Sequence, residues 1–368
     1  MAERGGLLAH GLTKRYGAKM ALDEVSFLAA DGGFTVILGP GGAGKTTTLR
    51  LLAGLEPQTK GSIFLDGREV SRLAPRERDM AMIFDNLALY PNKNGYENLA
   101  SPLVQRKRPV GEIRQKVFAM AEKLNLTLVL DRLPKTMSGG EKQRLALGRA
   151  LVREPRFFLL DEPLSSVDAP LRFKLRSELK RLQKKEGHSF LMATPDFAEA
   201  LAVGDLIIML HEGKVVQIGG PADIYDRPVD TRTALFVGSP QINLLKATAA
   251  EGELKFLGLT QPCPPALAQA LGAYAGEFTL GLRPENAAIL VNPAEPEPGA
   301  AGGVAPLVDV ESLGRTLAAT VKVGEELLTV LAASDLLSQA TIGDLVAFQV
   351  KDLGALQAFR PDGRNFLG

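Results

Sequence analysis

The chain has 368 residues, 43 Lys and Arg against 42 Asp and Glu, and a single cysteine. That length accommodates one large domain and a smaller one, each with its own core. The balanced charge offers no broad field to gather nucleic acid or an anionic membrane surface. The lone thiol, Cys263, excludes an internal disulfide framework and a thiolate zinc cluster and fits a reducing cytosol.

The N-terminal stretch "MAERGGLLAHGL" has a short apolar run and no small-residue cleavage site after it, so a secretory leader is not expected. Apolar stretches such as "DLIIML" (205–210) fall far short of a bilayer span, so any role at a membrane is expected to come through a partner. From 21 to 39, "ALDEVSFLAADGGFTVILG" reads as a hairpin leading into a buried strand, with a helix after the glycines. Apolar runs at 80–84, 157–160, 190–193 and 206–210 alternate with helical segments, the pattern of a wound α/β domain. Between about 95 and 155 two amphipathic stretches, "GEIRQKVFAMAEKLNL" and "EKQRLALGRALVREP", read as a helical insert. Short alternating strands and frequent glycine then predict a small β domain over 236–368, behind an α/β domain over 1–235. Inside it, "NPAEPEPGAAGGVAP" (292–306) reads as a loop.

Three stretches carry chemistry. "GPGGAGKTT" (39–47) fits G-x-x-x-x-G-K-[ST] between a buried strand and a helix, the setting in which backbone N–H groups along Gly39, Gly41, Gly42 and Gly44 cradle phosphate oxygens. Lys45 is expected on the β- and γ-phosphates, Thr46 on Mg²⁺, and Thr47 beside them. "FFLLDEP" (157–163) ends a strand in two acids: Asp161 is expected to hold Mg²⁺ through water and Glu162 to act as general base. "MSGGEKQRLALGRAL" (137–151) opens a helix with Ser138, Gly139 and Gly140, a second phosphate-type nest, although the loop at Lys45 already completes one cradle. The second nest is therefore expected to serve a different nucleotide.

Here the sequence resembles the ATP-binding-cassette (ABC) ATPases, whose two cassettes sandwich two ATP molecules between the phosphate loop of one chain and the Ser-Gly-Gly signature of the other. The resemblance implies a P-loop NTPase cassette with a helical subdomain and, through "FVGSPQINLL", "LGLRPENAAIL" and "GDLVAFQV", an oligonucleotide-fold-type (OB) regulatory domain like that of carbohydrate and polyol importer ATPases. It makes Tyr16 the aromatic that stacks on adenine, Asp168 in "LSSVDAPLR" the link between the two sites, and "ALYP" (88–91) the segment near which membrane subunits dock. The implied cofactors are ATP and Mg²⁺. The implied partners are a second cassette, two transmembrane permease subunits and an extracytoplasmic solute-binding protein, at the cytoplasmic face of the cell membrane, with no nucleic acid.

Two positions depart from that pattern. Thr194-Pro195-Asp196 stands where the family carries Thr-His-Asp, so the switch histidine is absent, and Phe84-Asp85 stands where it carries Phe-Gln. Glu141 replaces the usual glutamine after Ser-Gly-Gly. The other histidines, His10, His188 and His211, read as ordinary polar turn residues. An impaired own site beside an intact signature points to a heterodimer with a different cassette. A homodimer tolerating the loss, or a regulatory subunit that hydrolyses little, remains open at this stage.

Overall fold

The computed structural model describes residues 5–84, 87–165, 169–291, 296, 300–334 and 340–366, without the side chain of residue 171. Two compact units divide the chain, Met1–Pro221 and Ala222–Gly368.

In chain order the first unit contains β1 (Gly6–Tyr16), β2 (Lys19–Ala30), β3 (Phe34–Leu38), α1 (Lys45–Ala53), β4 (Lys60–Leu65), β5 (Arg68–Glu69) and β6 (Met80–Ile83). Three helices follow, α2 (Gly95–Gln105), α3 (Val110–Lys123) and α4 (Gly139–Leu151), inside the interval read as a helical insert. Then come β7 (Phe157–Asp161), α5 (Ala169–Glu186), β8 (Ser189–Thr194), α6 (Phe197–Val203), β9 (Leu206–His211) and β10 (Lys214–Gly219). A six-stranded sheet runs β10-β9-β3-β8-β7-β6, parallel except at the β10 edge. Its core strands β3, β7 and β8 bury every residue, as strands covered on both faces must. Across them Phe34, Phe190 and Phe158 stack at 5.1 and 5.0 Å between centroids, all fully buried.

The expected 21–39 hairpin does not form. β2 alternates buried and exposed residues and joins the antiparallel sheet β2-β1-β4-β5, while β3, apolar throughout, takes the centre of the parallel sheet. A strand buried on both faces pairs where both faces are covered, whatever its neighbour in sequence. In the helical segment, α2 is capped by Asn94 and Glu97 and α4 by Ser138 and Glu141, both as reciprocal capping boxes.

The second unit contains α7 (Pro221–Asp226), α8 (Thr231–Phe236), β11 (Asn243–Ala250), β12 (Glu253–Phe256), β13 (Leu259–Pro262), α9 (Pro265–Leu271), β14 (Glu277–Leu282), β15 (Ala287–Leu290), β16 (Gly302–Ser312), β17 (Thr316–Val323), β18 (Glu326–Ala333), β19 (Leu345–Val350) and β20 (Gln357–Phe359). Two antiparallel sheets, β13-β12-β11-β14-β20 and β15-β19-β16-β17-β18, enclose one apolar cluster that includes Leu254, Leu280, Leu307, Val330 and Phe348. The predicted loop over 292–306 gives way to strand at Gly302. Pro306 is accommodated because β16 changes partner there, from β19 (last pair Pro306↔Leu345) to β17 (first pair Leu307↔Val321), so its missing N–H costs little of the ladder.

The division falls at Pro221/Ala222 rather than 235/236. Arg283, 5 % exposed, donates to the carbonyls of Tyr225 (2.7 Å), Ala234 (3.1 Å) and Val237, and its guanidinium lies 4.1 Å from the Tyr225 ring centroid. Asn365 donates to Pro228 O at 2.8 Å. These bonds tie α7 and α8 to the β unit, although the local composition changes only after them.

Candidate functional site

The carboxyl ends of β3, β7 and β8 lie side by side, with Leu38 paired to Thr194 and Asp161 to Ala193. The segments leaving those ends carry the phosphate loop, the acid pair and the Thr194-Pro195-Asp196 turn, which is where α/β sheets present ligand-contacting groups. Gly39 follows β3 so tightly that a Cβ there would stand 2.1 Å from Leu210 O. Gly44 has φ +103°, and its Cβ would meet Leu22 Cδ2 at 2.6 Å and Ala21 O at 2.8 Å, so only glycine turns the chain into α1 here. Gly41 and Gly42 are exposed on the same turn.

Gly44, at the N-cap of α1, supplies no capping side chain, and no acid occupies the first turn, which leaves that positive helix end to an external anion. Lys45 is 5 % exposed; its Nζ donates to Gly39 O and Pro40 O, each at 3.0 Å, and lies 3.8 Å from Glu162 Oε1. Burial pulls its pKa below the ordinary lysine value, and the carboxylates of Glu162 and Asp161 offset part of that. Thr46 Oγ1 donates to Asp161 Oδ1 at 2.9 Å, while Thr47 is half-buried beside it. Among the described residues no group of three or more His, Cys, Asp or Glu could hold a metal by itself. One hydroxyl and one carboxylate are a donor set suited to Mg²⁺ whose shell is completed by phosphate and water. Loop, helix end and donor set thus fit a magnesium nucleotide.

Glu162 adopts φ +45° just beyond β7, its N–H bonded to Ala193 O at 2.9 Å and its side chain part-exposed toward Lys45. At the end of β8, Pro195 is exposed. Around it, Thr194 Oγ1 donates to Glu199 Oε2 (2.8 Å) and accepts from Asp196 N–H (3.1 Å), while Asp196 caps α6 through the N–H groups of Ala198 and Glu199. Glu199 is 3 % exposed, and Arg172 approaches it at 3.7 Å and Asp196 at 3.8 Å. Sequence reading missed Glu199 and Arg172; the signal was an acid at helical spacing from the Asp196 cap, on the buried side of a short helix.

The histidines do not stand in at this turn. His188 pairs with Glu186 at 2.9 Å and packs edge-on against Phe158, and His211 closes the β9–β10 hairpin opposite Lys214. His10 lies within β1 opposite Ser62, in a strand rather than a turn. Tyr16 ends β1, 45 % exposed, with its hydroxyl donating to Glu56. Ser138 and Gly139 are exposed at the start of α4, and Gly140 is buried. There the Glu141 carboxylate folds back to accept the Ser138 N–H at 2.6 Å and lies 3.5 Å from Arg132. Asp85 and Asp168 lie outside the described residues.

Fold and site together define a phosphate-loop nucleotide-binding protein. Residues 22–165 match the ABC transporter family, and residues 238–287 match the MalK OB fold domain. The chain is 44 % identical over 283 residues to the trehalose/maltose import ATP-binding protein MalK of Thermococcus litoralis, covering 74 % of this chain and 76 % of that one. It is 45 % identical over 275 residues to the sn-glycerol-3-phosphate import ATP-binding protein UgpC of Ruegeria pomeroyi, covering 75 % and 77 %. Among solved structures, the dimeric post-hydrolysis state of the ATP-binding cassette MJ0796 bound to ADP and Pi aligns with a TM-score of 0.54 at 28 % identity, over 58 % of this chain and 98 % of that one. The chain belongs to the ABC transporter ATP-binding proteins, with a cassette followed by a MalK-type OB-fold domain. It is an ABC-type ATPase, of the class that couples ATP hydrolysis to transport.

Proposed function

We propose that this chain is the ATP-binding subunit of an importer for a carbohydrate or polyol, such as a sugar, glycerol or glycerol phosphate. In this reading it sits at the cytoplasmic face of the membrane beneath two permease subunits fed by an extracytoplasmic binding protein, and it pairs with a different cassette because its own site is slow. The cargo class follows the printed activities of the relatives. Docking of a permease is supported by a cavity of about 690 Å³ lined by Met82, Phe84, Tyr90, Pro102, Arg106 and Arg149, with Arg149 donating to Ala88 O at 2.8 Å on the expected docking segment. Among the described residues no helix is long and apolar enough to cross a membrane, which agrees with attachment through partners.

When bound, Mg²⁺-ATP supplies the anhydride whose cleavage releases the driving free energy. Lys45 and the loop amides hold phosphate charge, Thr46 and Asp161 hold the metal, and Glu162 takes a proton from the attacking water. The observation that carries the slow-site reading is Pro195. It has neither a side-chain donor nor a backbone N–H to hold the terminal phosphate, and loss of one preorganised donor costs about 10²–10³ in rate. Exposed Ser138, at the start of a helix, is free of that defect and would complete the partner's site.

Steady-state ATPase of the reconstituted transporter tests this. Glu162→Gln should leave most of the turnover, and Ser138→Arg should remove most of it, with assembly checked for both. If Glu162→Gln abolishes turnover while Ser138→Arg spares it, the asymmetric reading is wrong. One observation favours a homodimer instead, the dimeric state of the similar MJ0796 cassette. Full transport-coupled ATPase from a complex containing only this cassette would establish that reading.

A further inference from the structure

Tyr16 is the last residue of β1, and a ring on the rim of a strand has two free side-chain torsions unless something holds it. Here its neighbours do. Its hydroxyl donates to Glu56 Oε2, and the Lys14 ammonium lies 4.8 Å from its ring centroid. Glu56 is itself anchored: Oε1 is 3.4 Å from Arg50 Nη1, and Oε2 is 3.6 Å from Lys14 Nζ. Lys14, 8 % exposed, also donates to Pro57 O at 2.8 Å. The ring is therefore tethered at its edge and faced by a cation, and the residue remains 45 % exposed. Burial and the neighbouring Glu56 both raise the Tyr16 pKa, so the hydroxyl stays a donor, while that bond lowers the pKa of Glu56, so the acceptor stays ionised. Arg50 stands on α1, the helix whose first turn forms the phosphate cradle, and Glu56 follows just after it. The phosphate loop and the Tyr16 anchor are thus tied to one helix, the first through its N-terminal turn and the second through Arg50.

We infer that Glu56 is a positioning residue that sets the Tyr16 ring, backed by Lys14, in the plane required to stack on the nucleotide base. The inference rests on the reading of Tyr16 as the base platform. Its alternative is a purely local role, in which Glu56 only anchors the turn between α1 and β4.

The two differ in whether the base matters to the effect. Calorimetric titration of the full chain with ATP and with inorganic tripolyphosphate, which lacks a base, separates them. Immobilising a side chain on binding costs enough that freeing Tyr16 in Glu56→Ala should weaken ATP by roughly 3- to 10-fold, with tripolyphosphate affinity unchanged. Tyr16→Phe should show the same selective loss, and the double variant no more than either single. Glu56→Gln keeps the shape and one acceptor, should lose less than Glu56→Ala, and serves if the alanine variant does not fold. Equal losses for both ligands, or no loss for ATP in Glu56→Ala and Tyr16→Phe, would overturn the positioning role. Tyr16→Ala is the separate check on the platform: if it leaves the preference for ATP over tripolyphosphate intact, the base-stacking reading itself fails.

Discussion

Replacing Lys45 by methionine should separate ligand binding from folding. The ammonium is almost wholly buried and holds two carbonyls, Gly39 O and Pro40 O, and one carboxylate, Glu162. A charge-assisted hydrogen bond contributes about 1.5–3 kcal/mol, a factor of about 10–150 in Kd. Binding exchanges partners the lysine already has, so the lower part of that range applies, about 10- to 30-fold weaker ATP. Stability without nucleotide should change little. Lost hydrogen bonds destabilise the variant, but the cost of burying a charge disappears, and the melting temperature should stay within about 4 °C. The residual difference has a predicted pH dependence. Because burial lowers the folded pKa of Lys45, the unfolded chain binds more protons between that pKa and the ordinary value of 10.5, and wild-type stability rises with pH across that window. Methionine gains nothing there, so any advantage of the variant is largest at neutral pH and shrinks as pH climbs. Calorimetry of binding and of unfolding reads both effects. Unchanged ATP affinity would refute the assignment of Lys45 to phosphate, and a collapse of the nucleotide-free fold would refute the exchange argument.

Glu199 has a raised pKa, chiefly from burial, so its protonated form favours the fold below the ordinary carboxyl range and that contribution is lost as pH rises through the folded pKa. Glu199→Gln, which keeps an acceptor for Thr194, should therefore stabilise the chain at pH 7 and lose that advantage near pH 4; thermal melts at the two pH values showing no difference would contradict this. Arg283→Met strips donors from the carbonyls of Tyr225, Ala234 and Val237 and should destabilise the second unit by on the order of 3 kcal/mol, with ATP affinity unchanged; urea denaturation followed by circular dichroism checks the first and calorimetry the second. A chain ending at Pro221 should still bind ATP, since the phosphate loop, acid pair and Pro195 turn lie in the first unit, and an unfolded product lacking nucleotide binding would refute the division.

What the sequence determined by itself was whatever local chemistry fixes. Gly39 to Thr47 can be read because a phosphate cradle needs its glycines and lysine at fixed spacing, and the structure keeps them on the turn out of β3 and the first turn of α1. The helical insert and the apolar strands were legible for the same reason, since periodicity is a local property. Pairing was not. The apolar run of β3 does not say that its neighbours are β8 and β9, and the hairpin expected with β2 failed because burial on two faces is settled by the whole sheet. Long-range polar bonds were equally hidden. Arg283 reaches back across dozens of residues to Tyr225, Ala234 and Val237 and moves the unit boundary ahead of the change in composition. Glu56 meets Tyr16, and Glu199 meets Arg172, only once strands and helices have packed. The reason is physical: a buried polar group must find a partner, but only the folded backbone decides which partner lies within hydrogen-bonding distance.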